Sequence, residues 1–229
     1  MFKRIISAFR KIVPKKYKTL NQAIMDTPEN TKKEIKIAKV GRKYQVINDN
    51  RQEGAVWYSE ETLRKVFPKK RSKLIHTHTN GIKELPSAND ITNMISHYIR
   101  YNKDFEAISV MDAVNGKESG RIGIMLTKEA KEYVKKNFDY DTLDDLDELL
   151  DSFRYHIEQR LDRIFFETNK ILSAKGLSDS SPEYKKIRHN TIKKIMYKYY
   201  KDSLKLKLKF VPQPGYKFNK ETMAFEKIK

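Results

Sequence analysis

A strand and a helix start are drawn close together by Leu74-Ile75-His76-Thr77-His78 and, one short loop later, Pro86-Ser87-Ala88-Asn89-Asp90. Leu74, Ile75 and the β-branched Thr77 and Thr79 predict a strand. Side chains two apart on a strand share a face, so His76 and His78 project together, roughly 7 Å apart at Cα. Ser87 then reads as the N-cap of a helix, with Asp90 one turn in. If that helix start packs over the strand end, two imidazoles and a carboxylate converge, which is the ligand set of an open zinc site with water in the fourth position. S-x-x-D is also an ordinary helix-capping pattern, and paired strand histidines also occur as core or surface residues. The combination, in this order and within this span, is what singles out His76, His78 and Asp90 as metal ligands.

Composition limits the chemistry around such a site. The chain has no cysteine, so disulfide frameworks and thiol catalysis are excluded, and any zinc must be held by histidines and carboxylates. Its 229 residues suffice for one large domain or for a core with appendages, and 38% hydrophobic residues supply a core. With 48 Lys+Arg against 30 Asp+Glu the net charge is +18. That field favours anionic partners: nucleic acid, an acidic protein surface or an anionic membrane. No Walker loop, dinucleotide glycine fingerprint or serine elbow is present.

In chain order, Phe2, Ile5, Ile6, Phe9, Ile12 and Val13 recur at helical spacing among basic residues and predict an amphipathic N-terminal helix ended by Pro14. No long apolar stretch follows it, as a secretory signal or membrane span would require. It suits an anionic membrane, a partner's groove or its own domain. Residues 15–33 read as a basic connector with a short helix near Leu20 to Met25. Strands are expected at 34–38 and 43–47 around Gly41-Arg42, and at 53–58, with a short helix from Ser59 to before Pro68. After Asp90 an amphipathic helix runs to about Tyr101, and His97 within it reads as a surface histidine. Strands at 107–111 and 121–126 and a helix from Thr127 to about Asn137 complete a mixed α+β layer.

Beyond Phe138 two long helices are expected, an acidic one to about Ala174 and a basic one from Pro182 to about Leu204, forming an antiparallel hairpin. The stripe of the second is read as Ile187, Thr191, Ile195 and Tyr199. Its lysines, with Tyr197, Tyr199 and Tyr200 beside them, suit phosphate contacts, or else neutralise the acidic helix alongside. Leu204 to Val211 alternates leucine with lysine, as a charge-protected edge strand does. The divisions are therefore 1–33 arm and connector, 34–138 core, 139–205 helical hairpin, and 206–229 strand and tail.

His76-Thr77-His78 followed by Ser87-Ala88-Asn89-Asp90 resembles the signature of the JAMM (JAB1/MPN) metalloprotease fold, whose members include isopeptidases and phage head and tail morphogenesis proteins. The resemblance implies a JAMM-like mixed sheet with flanking helices, to which the N-terminal helix and C-terminal hairpin are added. It implies Zn2+ on His76, His78 and Asp90, with Ser87 steadying the tetrahedral intermediate. It also implies an upstream glutamate that moves protons, for which Glu34 is the first choice and Glu53 the second. The expected activity is zinc-dependent hydrolysis of an amide bond in a protein or peptide substrate, in the cytoplasm. The alternative is a non-catalytic assembly protein, part of a larger assembly such as a virion, with nucleic-acid binding as a weaker third reading. Glu84, the only carboxylate of the loop 79–84, is the expected fourth ligand if the site is closed and structural.

Overall fold

The computed structural model describes residues 16–25, 36–46, 64, 72–79, 85–112, 117–176 and 180–228. The expected N-terminal helix, the strand at 53–58, the helix after Ser59 apart from Arg64, and the loop 80–84 lie outside them, as do Glu34, Glu53 and Glu84.

The chain is α+β, built on a seven-stranded mixed sheet. Its strands are β1 (Lys16–Tyr17), β2 (Lys36–Val40), β3 (Lys43–Val46), β4 (Ser72–Thr79), β5 (Phe105–Met111), β6 (Glu118–Leu126) and β7 (Leu206–Pro212), in the order β1-β3-β2-β4-β5-β6-β7. Gly41, at φ 62, supplies the left-handed turn residue between β2 and β3. All neighbours are antiparallel except β4 and β5. A parallel pair needs a crossover, and helix α2 (Ala88–Tyr101) supplies it. The start of α2 is thereby brought to the end of β4, the side of a parallel pair where binding sites form.

Strand alternation divides the core in two. On one face Ile37, Ile75, Ala107 and Met111 pack with Leu20 and Ala23 of α1 (Leu20–Met25). On the other, Ile108, Val110, Ile122 and Ile124 pack with Ile91, Met94 and Ile95 of α2. Three further helices add to this second core: α3 (Lys128–Asn137), α4 (Leu143–Ala174) and α5 (Pro182–Asp202). His76 and His78 alternate with Ile75, so they face the α2 side.

The helix boundaries follow from their caps. Ser87, Thr127, Thr142 and Ser181 each accept a backbone N–H from the first turn, and Pro182 occupies the position where its missing N–H costs nothing. The 32 residues of α4 bury Leu146, Leu150, Ile157, Leu161, Ile164, Thr168 and Leu172 at three- and four-residue steps. Helices α4 and α5 are antiparallel: Asn169 Oδ1 accepts from Arg188 Nε at 2.6 Å, and the Arg188 guanidinium lies over Phe165. The expected stripe of α5 is corrected. Tyr184, Ile192, Met196 and Tyr200 are buried, whereas Ile195 is exposed. The run Ile195-Met196-Tyr197-Lys198-Tyr199-Tyr200 is apolar over most of the helix circumference, so periodicity alone does not choose a face.

Strand β7 ends the sheet, with Leu206 buried and Lys207 and Lys209 exposed. The tail returns as a hairpin of β8 (Tyr216–Asn219) and β9 (Ala224–Lys227). Phe218 stacks on Phe210 with ring centroids 4.0 Å apart, and Phe225 covers Gly120 so closely that a Cβ there would stand 2.3 Å from the ring. Among the described residues, no helix is long and apolar enough to cross a membrane.

Candidate metal centre

His76, His78 and Asp90 converge, and all three are buried. His76 Nε2 lies 3.0 Å from His78 Nε2 and 2.9 Å from Asp90 Oδ1, and His78 Nε2 lies 3.5 Å from Asp90 Oδ2. Two local rules produce the cluster. The period of two on β4 sets both rings on one face, and the parallel crossover carries the first turn of α2 over them.

Asp90 serves both roles that the sequence left open. Its Oδ2 accepts from Ser87 N and Ser87 Oγ, each at 2.7 Å, and its own N–H donates to Ser87 Oγ at 3.2 Å. This is a complete capping box. With Oδ2 held by Ser87, Oδ1 is turned toward His76. Ser87 thus appears first as the residue that fixes the carboxylate, its hydroxyl hydrogen directed at Asp90.

The donor set fits zinc. Bonds of about 2.0–2.1 Å directed tetrahedrally place neighbouring donors about 3.3 Å apart, close to the spacings within the triangle. Both histidines present Nε2 to the same point, and the carboxylate adds one negative charge.

Beneath the triangle lies a residue that sequence reasoning missed. Glu106, only 1% exposed, places Oε1 3.1 Å from His76 Nδ1. Its Oε2 faces His97 Nδ1 at 4.0 Å. His97 is 4% exposed, which corrects its reading as a surface histidine. Helix α2 is covered on a wide arc by the sheet and by α4, so a position flanking its apolar stripe is enclosed. The available signal was a lone carboxylate in the apolar strand Phe105-Glu106-Ala107-Ile108-Ser109-Val110-Met111.

Electrostatics tie the group together. Burial opposes a charge on His76, but the Asp90 and Glu106 carboxylates outweigh it and raise its pKa to about 10 in the metal-free protein. Burial likewise opposes ionisation of Asp90, yet His76, His78 and the Ser87 hydrogen bond hold its pKa well below the usual carboxylate range. Tyr200 closes the site from α5: its hydroxyl donates to the Pro86 carbonyl at 2.6 Å. Burial, with Asp90 nearby, pushes that phenol's pKa well above 10.

No protein-family model matches the chain, and no curated protein matches its sequence.

Proposed function

We propose that the protein is a zinc-dependent, JAMM-like peptidase or isopeptidase centred on His76, His78 and Asp90. The observation that carries this reading is the buried triangle of donor atoms, 2.9–3.5 Å on its edges, at the junction of a parallel strand and a capped helix. Zinc held there would polarise a substrate carbonyl and lower the pKa of water toward 7. His76 and His78 supply neutral nitrogen donors, and Asp90 offers Oδ1 while Ser87 retains Oδ2. Turning the Ser87 hydroxyl from Asp90 toward the substrate would let it donate to a developing oxyanion. The proton-moving glutamate comes from upstream in this proposal. The β2–β4 ladder opens with Lys36 opposite His76, so the chain enters β2 at the metal end of β4. Glu34 is the first choice for that glutamate and Glu53 the second.

The test is metal analysis of the full chain purified without added zinc, followed by cleavage assays on peptide and isopeptide substrates. Near-stoichiometric zinc with chelator-sensitive cleavage, lost in Glu34→Gln while zinc is retained, is the expected result. Protein that stays metal-free in excess zinc overturns it in favour of the non-catalytic assembly component.

The α5 lysines favour a nucleic-acid partner as a second, separate property. Four carboxylates of α4 pair with arginines outside α5: Asp147 with Arg100, Asp151 and Glu158 with Arg154, and Glu167 with Arg163. Among the described residues, Lys185, Lys194, Lys198 and Lys201 have no ion-pair partner. The apolar side of α5 is already buried through Ile192, Met196 and Tyr200, so it offers charge without a face for membrane insertion. Affinity for a labelled single-stranded oligonucleotide should fall steeply with salt. Lys194→Glu with Lys198→Glu should weaken it by about tenfold and reduce the salt slope by about two. Salt-insensitive binding, or binding unchanged by the double substitution, rules this surface out.

A further inference from the structure

We propose that Glu106 is a positioning residue of the metal centre, fixing the His76 ring so that its Nε2 lone pair points into the His76–His78–Asp90 triangle. The inference rests on the metal-binding reading above and deepens it.

A carboxylate within an apolar strand is costly to bury unless it is paired. Glu106 is flanked by Phe105 and Ala107, and two residues on stand Ile108 and then Val110, both in the main core. Its two oxygens meet two imidazoles, His76 on β4 and His97 on α2. The parallel register creates this meeting: Ile75 pairs with Ala107 and His76 with Ile108, which puts Glu106 beside His76 on the shared face.

The chemistry follows from the two nitrogens of one ring. A neutral histidine that binds metal through Nε2 carries its proton on Nδ1, and an acceptor at Nδ1 selects that tautomer and orients the ring. Glu106 Oε1, 3.1 Å from Nδ1, is that acceptor. It lies across the ring from the triangle, so it touches neither the metal position nor a water bound there. That geometry excludes Glu106 as the proton-moving glutamate and leaves it an orienting role. His97 Nδ1 faces the other carboxylate oxygen at 4.0 Å, an electrostatic contact longer than a hydrogen bond, so the orienting contact is the one to His76.

The experiment compares Glu106→Gln and Glu106→Leu in the full chain. Zinc affinity is measured by competition with a chromophoric chelator, and ligand geometry by the visible absorption of the Co2+-loaded protein. Glutamine keeps a carbonyl acceptor for Nδ1–H; leucine removes it. Glu106→Leu is expected to lose about 10–100-fold in zinc affinity and to alter the Co2+ spectrum, with Glu106→Gln intermediate. Zinc affinity and Co2+ spectra like the wild type in both variants overturn the proposal, as does equal loss in both. Should Glu106→Leu not fold, Glu106→Gln decides alone: a measurable loss with a shifted spectrum supports the role, and wild-type behaviour ends it. Wild-type protein that binds neither ion is a different result, which removes the metal centre itself and this inference with it.

Discussion

Asp90→Ala is expected to abolish metal retention and to destabilise the fold, whereas Asp90→Asn should separate the two effects. Asp90 holds Ser87 through Oδ2 and faces His76 through Oδ1. Alanine deletes the reciprocal half of the capping box and the partner of a buried histidine. The loss should fall between the roughly 1 kcal/mol of a missing cap contact and the 3–5 kcal/mol of a broken buried ion pair. It stays below the upper figure because His76 can release its proton once Asp90 is gone. Asparagine preserves shape and can still accept from Ser87 N–H, so most of the stability should return. It cannot supply the anionic ligand, and zinc affinity should fall by more than about 100-fold, beyond the usual effect of an outer-shell change. Denaturant melts in chelator and zinc competition separate the two quantities. An Asp90→Asn protein that holds zinc as tightly as the wild type would remove Asp90 from the ligand set.

The second large effect is an opposition between the pH dependences of the metal-free and metal-bound forms. The His76 pKa rises from 6.5 to about 10 on folding, so its contribution is complete below pH 6.5 and is lost as pH climbs toward 10. The Asp90 pKa falls from 3.8, so its contribution is complete above that pH and is lost on further acidification. Metal-free protein should therefore be stabilised most by this pair between about pH 4 and 6.5. Zinc must displace the proton that His76 and Asp90 share, so its affinity should rise with pH, by about tenfold per unit while that proton is bound. Thermal melts in chelator should decline between about pH 6.5 and 9, while zinc titrations at about pH 5.5–7.5 tighten. Calorimetry in buffers of different ionisation enthalpy should count about one proton released per zinc. If zinc binding releases no proton, the His76–Asp90 pair is not what the metal displaces.

The His76–His78–Asp90 cluster was legible in the sequence because two short-range rules place its residues. Alternation on β4 sets His76 and His78 together, and the S-x-x-D cap sets Asp90 at the start of α2. Glu106 was not legible as part of the site, since only the β4–β5 register brings it under His76, and nothing within either segment encodes that register. His97 was misplaced for a related reason: its helix is enclosed from two sides, and periodicity describes one. The stripe of α5 was misread because Tyr197, Tyr199 and Tyr200 make several helix faces equally apolar. Strands β2 to β6 and the Ser87 cap, by contrast, rest on local signals and were found within a few residues of their ends.

Tyr200 has a consequence for how the molecule can be cut. Its hydroxyl grips the carbonyl of Pro86, the residue before the cap, from a helix more than a hundred positions away. A fragment comprising residues 34–138 would keep His76, His78 and Asp90, yet it would lose this grip together with the β7 neighbour of β6. The C-terminal third therefore acts as the far jaw of a vice around the α2 start. Trimming the chain to its signature residues would leave the cluster present and the jaw open.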